Sequence, residues 1–402
     1  MTVQTTSNLT NSLRTQYVAN YLEAAYGWRL YDQLAIPVPG ISMNDAIKGS
    51  SVQWEFLSSM APGTTAINQV GDLTPQILYD ATASVTPTSR AEALQWAEQL
   101  EIQVFTNYAL ERMKKLGENA AESIDLLALD AATQGTWVER AAARASLDAG
   151  TASNRASDSV FRTMYARLLA LNIPGFVTSD GMANTFAAIM APEPFNDISE
   201  SGRIDSIGMY QDKGIHLNYE LAQVGPFRLV VHPRAKVFYG AGADNATSVA
   251  TTLNGATNPL ATTLVTAGDV SANIAAGKLW MVGTEETGST NYPTNERFKV
   301  QSASTVTLTV TGMGENGGMR YAHASGAAVR NADSVYTIVF GGPASLVKLY
   351  DPGTGEFGKV IGPKIEGLAD QFASVAWKFY GGYGRITENR IVRGEYSASF
   401  DA

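Results

Sequence analysis

The sequence predicts an α+β protein with a small β domain inserted into it, on three observations. Over residues 108–133, apolar side chains recur at three- and four-residue spacing, as on one face of a long helix. Segments that alternate with period two, at 52–56, 94–104 and 374–379, lie far apart, before and after that helix. Between 241 and 333 the composition turns to Ala, Thr, Gly, Ser and Asn with short alternating runs. Strands that must pair across a long intervening helix define an α+β architecture. A chain of 402 residues leaves room for two or three domains.

Taken in order, residues 1–10 are rich in Thr, Ser and Asn and read as a loose arm. From Asn11, the residues Leu13, Tyr17, Tyr21, Ala24 and Trp28 recur at helical spacing, and Pro37 and Pro39 end the pattern. Val52, Trp54 and Phe56 alternate with Gln53 and Glu55, the signature of a half-buried strand. Residues 58–90 hold few core formers, and a stretch of that length without its own apolar pattern reads as an exposed flap. Leu94, Trp96, Leu100, Ile102 and Val104 then alternate with small or polar residues as a second strand, so two strands bracket the flap as an extended arm.

The long helix follows, with Ala109, Met113, Leu116, Ala120, Ile124, Leu127 and Ala131 on its stripe. Twenty-six residues at about 1.5 Å each span nearly 40 Å. Gly117 interrupts the stripe at a cost of about 1 kcal/mol relative to Ala. After a polar, Ala-rich stretch (134–156), a helix begins near Asp158 as N-cap, with Val160, Met164, Leu168 and Leu171 inward and Pro174-Gly175 closing it. Met182 to Met190 reads as a short helix ended by Pro192, and 227–231 (FRLVV) as a fully buried strand. In the insertion, strands are expected at Leu279–Val282, Arg297–Val300 and Thr305–Val310, with Thr305, Thr307 and Thr309 on one face and Val306, Leu308 and Val310 on the other. At the end, Val375, Trp377 and Phe379 alternate with Ser374, Ala376 and Lys378. A Gly-rich bend follows at 381–384, and a further strand runs from Arg385 to Tyr396.

Composition narrows the function. Charged residues are 17% of the chain, and such depletion suits either extensive interfaces or a plain β-rich domain. The net charge of −9 is a poor global match for nucleic acid, although a local basic face stays open. With no Cys there are no disulfides and no thiolate metal sites, which fits a reducing cytoplasm. The N-terminal segment lacks the apolar core of a signal peptide, and no run of 18 apolar residues suggests a membrane span.

Few motifs carry chemistry. Gly312-Met313-Gly314-Glu315-Asn316-Gly317 matches G-x-G-x-x-G, with Asp333 sixteen residues further on. The strand before it alternates with Thr and no apolar helical stripe follows, so a turn is expected rather than a dinucleotide site. His216 and Glu220 have i, i+4 spacing but no second ligand pair near in sequence, and His232 is expected to cap the 227–231 strand. The sequon-like Asn245-Ala246-Thr247 reads as loop chemistry. No nucleophile elbow, phosphate-binding loop, metalloprotease or EF-hand pattern is present, so no catalytic, cofactor or metal residue is assigned. Arg385, Arg390 and Arg393, with Lys378 upstream, form a basic C-terminal group, either a solvated strand face or a surface that meets DNA or another subunit. With Trp54, Arg90 and Trp377 they are the candidate assembly or inner-face residues.

Three segments carry a family resemblance: 215–238 (IHLNYELAQVGPFRLVVHPRAKVF), 334–349 (SVYTIVFGGPASLVKL) and 374–396 (SVAWKFYGGYGRITENRIVRGEY). In this order they resemble the major capsid proteins of tailed phages, in the family typified by coliphage N-four. The resemblance spares 241–333, which separates segments that can be close neighbours in that family. It implies the Hong Kong 97 type of capsid fold, with 1–45 as N-terminal arm, 46–57 and 93–156 as peripheral domain around a spine helix at 108–133, and 58–92 as extended loop. It further implies 157–240 and 334–373 as axial domain, 241–333 as an inserted β-rich surface domain, and 374–402 as C-terminal peripheral strands.

By the same resemblance the chain would be a shell subunit without enzymatic activity or cofactor, assembled in the host bacterial cytoplasm. It would join itself in hexamers and pentamers, work with portal and scaffolding proteins, and enclose double-stranded DNA without sequence-specific binding or a membrane. The short arm, without a long helical extension, implies a separate scaffolding protein, and 241–333 could seat a decoration protein. Three other readings stay open from the sequence: an encapsulin-like compartment of the same fold, a tail or adhesion subunit suggested by the Thr/Gly-rich region, and an enzyme using the Gly312 loop.

Overall fold

The computed structural model describes residues 21–25, 29–38, 51–64, 75–97, 108–177, 183–200, 205–206, 217, 219–244, 248–273, 279–366 and 372–401. The chain divides into two compact units. The first takes residues to Arg29, 35–127 and 346–387, and the second takes 30–34, 128–345 and 388–402.

The first unit is built on a five-stranded sheet around one long strand, Phe372–Arg385. Thr88–Ala97 runs antiparallel along one side of it. Lys359–Glu366 and then Leu346–Tyr350 pair antiparallel along the other, and Ala35–Pro37 is added parallel to Leu346–Tyr350. Helix Tyr108–Thr133 lays Met113, Leu116, Ala120, Ala121 and Ile124 against Trp96, Val375, Trp377 and Phe379, with Tyr21 and Ala25 completing the core. Gly117 has a packing reason. A Cβ there would lie 2.5 Å from the Tyr21 carbonyl oxygen and 3.0 Å from the Ala24 Cβ, so the stripe is interrupted where the 21–25 helical turn crosses closest.

Three expectations change here. The strand expected at 94–104 lies at Thr88–Ala97, with Leu94 and Trp96 facing the core as read, and 98–107 lies outside the described residues. The partner of Val52–Leu57 is Asp80–Val85, inside the stretch read as a patternless flap. Its DATASV composition is poor in β-branched and aromatic residues, so propensity could not mark it. The Gly-rich run 381–384 is no bend. It continues the long strand, where a Cβ on Gly381 would lie 2.3 Å from the Leu349 carbonyl oxygen and one on Gly384 would lie 2.3 Å from Val85 Cγ2. Of the N-terminal helix reading, Tyr21–Ala25 is helical, while Leu13, Tyr17 and Trp28 lie outside the described residues.

The second unit holds a nine-stranded mixed sheet whose central strands, Val335–Gly341 and Phe227–Val231, are buried along their whole length. Helix Asp158–Ala170 covers it with Phe161, Met164 and Leu168. Phe161, Phe227 and Phe340 meet edge to face with centroids 5.3–5.6 Å apart. The N-cap is Ser157, one residue before the expected Asp158. Met182–Met190, read as a short helix, is instead the strand Ala183–Met190, parallel to Phe227–Val231 and antiparallel to Val335–Gly341. Phe186 to Met190 is a continuous buried run, and a strand covered on both faces loses the alternation that would identify it. Pro192 starts the next helix, Pro192–Glu200, rather than ending one, since its missing N–H costs nothing in the first turn. The expected strand Arg385–Tyr396 is also divided: Arg385 ends the long strand of the first unit, whereas Ile391–Tyr396 pairs with Val335–Gly341 in the second.

Residues 250–330 form six antiparallel strands that close on themselves. The first and last in the sheet order meet at a Leu253/Thr266 bridge, with Asn254 N–H donating to the Val265 carbonyl and Ala267 N–H to that of Thr252, both at 2.8 Å. The barrel is filled by Leu253, Leu264, Trp280, Val282, Phe298, Val300, Leu308, Val310 and Val329. Thr307 and Thr309 face solvent as read, but Thr305 sits in the connecting turn with φ +53° rather than on the strand.

Candidate assembly surfaces

Of the seven residues singled out above, Trp54, Arg90, Trp377, Lys378 and Arg385 belong to the first unit and Arg390 and Arg393 to the second. Trp377 is only 1% exposed, inside the first unit's core, and its indole N–H donates to Asn119 Oδ1 at 3.0 Å. Trp54 is half-buried and donates from Nε1 to the Ile386 carbonyl at 3.1 Å, so it anchors the Val52–Leu57/Asp80–Val85 ribbon at its base. Arg90 is half-buried and lines a shallow pocket of about 480 Å³ with Thr88, Ser89, Glu92, Ser123 and Trp377. Arg385 closes the long strand, half-buried, opposite Leu346.

In the second unit, Arg390 donates to the Ala344 carbonyl at 3.1 Å. Arg393 is buried, donates to the Thr133 carbonyl and lies 3.1 Å from Glu395. The four basic residues therefore form no single patch on one sheet, and of the seven only Lys378 is exposed rather than half-buried or buried.

Sequence reading missed the chemistry that Arg393 serves. Glu395 is fully buried and draws Arg144 at 2.5 Å and Arg140 at 3.5 Å in addition to Arg393. Arg144 also stacks 3.8 Å from the Phe238 ring centre and donates to the carbonyls of Glu286 and Gly288, which precede the barrel strand Glu296–Ser304. Lys236 and Glu286 pair nearby at 2.6 Å. Burial pulls the lysine below its usual range and pushes the carboxyl above its own. Arg297 pairs with Glu193, and Asn291 donates to Asp130 at 2.6 Å. Buried polar contacts thus clamp the barrel to the rest of this unit. The only sequence signal was a set of charged residues in apolar surroundings.

The remaining motifs take structural roles. The Gly312 loop is a tight turn, Glu315–Gly317, in which a Cβ on Gly314 would lie 2.7 Å from the Gly318 and Met319 carbonyl oxygens. His232 caps the Phe227–Val231 strand: Nδ1 accepts from Arg234 N–H at 3.2 Å, and its carbonyl accepts from Ala235 N–H. His323 pairs with Glu296 at 2.8 Å inside the barrel unit. His216 lies outside the described residues, as does the Asn245 sequon. Among the described residues no cluster of three His, Asp or Glu could hold a metal, and no helix is long and apolar enough to cross a membrane.

Two exposed surfaces stand out, both in the first unit. The ribbon carries Leu57, Ile77 and Tyr79 at 70%, 75% and 71% exposure, and its pairing runs on past the strands through Ser58 with Tyr79 and Ala61 with Gln76. Register puts Gln53, Glu55 and Leu57 on one ribbon face with Asp80, Thr82 and Ser84, all exposed. The second surface is the sheet face opposite the helix. There Lys378 lies directly across from Lys359, with Lys364 further along, and Ala91, Ala93 and Gln95 form a low row beside them.

No protein-family model matches this chain, and no curated protein does. Among solved structures, it is similar to the capsid of Ralstonia phage GP4, at 12% identity over 92% of both chains with a TM-score of 0.53. It is also similar to the capsid of cyanophage P-SCSP1u, at 13% identity over 92% of this chain and 88% of the other, with a TM-score of 0.48. On the first of these the fold is that of a phage capsid protein, the Hong Kong 97 type, as the three sequence segments implied.

Proposed function

We propose that this chain is the major capsid protein of a tailed bacteriophage, of the N-four-like kind, and that its work is geometric rather than catalytic. The observation that carries the reading is the likeness to the GP4 capsid over 92% of each chain, which leaves almost no part of the subunit outside the shell fold. On this reading the subunit closes into rings of five and six by heterologous contacts and encloses double-stranded DNA, with portal and scaffolding proteins as partners. On this reading residues 58–92 are the extended loop, the first unit holds most of the peripheral domain and the nine-stranded sheet holds most of the axial domain. An isolated two-stranded ribbon is marginal in water, so one with Leu57, Met60, Ile77, Leu78 and Tyr79 exposed gains order by lying on a neighbour. The barrel is a surface module able to seat a decoration protein.

Expression of the full chain, alone and with the neighbouring phage genes, followed by negative-stain electron microscopy, tests the proposal. Closed shells or rings of five and six are expected. A product that stays monomeric in both conditions contradicts it.

A further inference from the structure

A smaller exposed surface lies on the barrel, at a turn whose residue choice runs against its geometry. Asn258-Pro259-Leu260-Ala261 closes with Ala261 N–H donating to the Asn258 carbonyl at 3.3 Å, and Leu260 has φ +68°. Proline at the second position and a positive φ at the third mark a type II turn, whose third position favours Gly or Asn. At Asn172, Asn316, Gly225 and Gly255 the chain meets a positive φ with those residues. Tyr219, a second large side chain at positive φ, lies against the His232 ring with centroids 4.3 Å apart. Leu260 is instead 60% exposed. A bulky side chain in this backbone region costs stability, and one left in water regains little of it by burial.

The turn is held by the Gly318-Met319 backbone beside it. Leu260 N–H donates to the Met319 carbonyl at 2.7 Å, and a Cβ on Gly318 would lie 2.4 Å from the Leu260 carbonyl oxygen. The Gly312–Gly314 loop packs on the same backbone, since Gly314 N–H donates to the Gly318 carbonyl at 2.8 Å, and Met313 within it is 56% exposed. Residues 245–268 and 300–314 hold no charged side chain. They supply the paired strands Thr263–Val265 and Thr307–Thr311, which are thus neutral in a chain of net charge −9.

We propose that Leu260 and Met313 pack against the same two residues of a second copy of this chain, in a self-complementary contact about a two-fold axis. Two side chains fall far short of the roughly 800 Å² per partner that a stable complex buries, so they cannot hold a partner unaided. They suffice for a partner kept nearby by other contacts, which a repeating assembly supplies. Two copies that each carry −9 repel least where both surfaces are uncharged. The inference rests on the shell reading and adds to it a contact between barrels.

The chain has no Cys, so Leu260→Cys and Met313→Cys each introduce a single reporter thiol. Each full-length variant is assembled beside the wild-type chain, treated with a short bis-maleimide and run on a denaturing gel. Covalent dimers joined at residue 260 or 313 are expected from assembled product and not from dissociated subunits. Assembled product that gives only monomer bands with both variants overturns the contact. Leu260→Asn supplies a second readout. It suits the turn, so the melting temperature should rise by roughly 2 °C. In sedimentation it should nevertheless need about tenfold more protein to assemble, the equivalent of one buried leucine lost. Assembly at the wild-type concentration overturns the proposal, and this variant alone decides if the Cys variants misfold. Thiols that never form dimers but are protected by an added second protein assign the surface to a decoration protein and also overturn it. A wild-type chain that never self-associates removes the shell reading and this inference with it, whereas shells that form without barrel dimers remove only the inference.

Discussion

Glu395 is fully buried and has three guanidinium groups within 3.5 Å, so its carboxylate is the counter-charge for Arg140, Arg144 and Arg393 together. Removing one partner of a buried ion pair costs about 3–5 kcal/mol, because the remaining charge stays desolvated. Glu395→Ala is therefore expected to lower unfolding free energy by about that amount in urea titrations, and a change under about 1 kcal/mol would contradict the placement. Two other buried groups give opposite pH responses. Burial pushes the Asp401 carboxyl up to about 6, while its acceptance of hydrogen bonds from Ser334 N–H and Tyr336 Oη–H works against the rise. A raised carboxyl stabilises fully below its unfolded value of 3.8, and that contribution is lost as pH rises through about 6. Burial, helped by the Arg234 charge, lowers His232 to about 4. Its contribution is present above 6.5 and is lost as pH falls through about 4. Between pH 4 and 6.5, wild type should lose stability relative to Asp401→Asn as pH rises and gain it relative to His232→Asn. Flat differences in thermal denaturation across that window would refute both assignments.

At the scale of elements, helix and insertion were legible because their signals are periodic and local. The helix itself, its stripe from Met113 to Ile124 (beyond which Ala128 and Ala132 are the buried positions rather than Leu127 and Ala131), and the Thr-out, Leu-in alternation at 307–310 survive in the structure. What could not be read was set by distant neighbours. Asp80–Val85 is a strand because Val52–Leu57 pairs with it, and Ala183–Met190 is a strand because two buried strands flank it. The glycines at 381–384 stay extended because Leu349 and Val85 press on them. Sequence proximity likewise could not show that Arg385 and Arg393 enter different sheets. Gly117 turns this lesson into a test. Helix propensity favours Gly117→Ala by about 1 kcal/mol, yet the added Cβ meets the Tyr21 carbonyl oxygen at 2.5 Å. Crowding of this kind costs about 1–3 kcal/mol, so the substitution should lower the melting temperature, and a rise would show that the 21–25 turn yields.

At the scale of the whole molecule, a shell strengthens many modest contacts by repetition, so no single interface needs exceptional affinity. Some capsids of this fold weld their loops with a Lys–Asn isopeptide bond, but here no Lys occurs between Lys48 and Lys114. No such weld from the ribbon is therefore expected in assembled particles, and a covalent ladder on denaturing gels traced to the ribbon would contradict this. The most direct test of the central claim is a cryo-electron microscopy reconstruction of the assembled product. The account predicts five- and six-membered rings of this chain closed into a shell. Open filaments, or a symmetric dimer that buries the ribbon and goes no further, would contradict it.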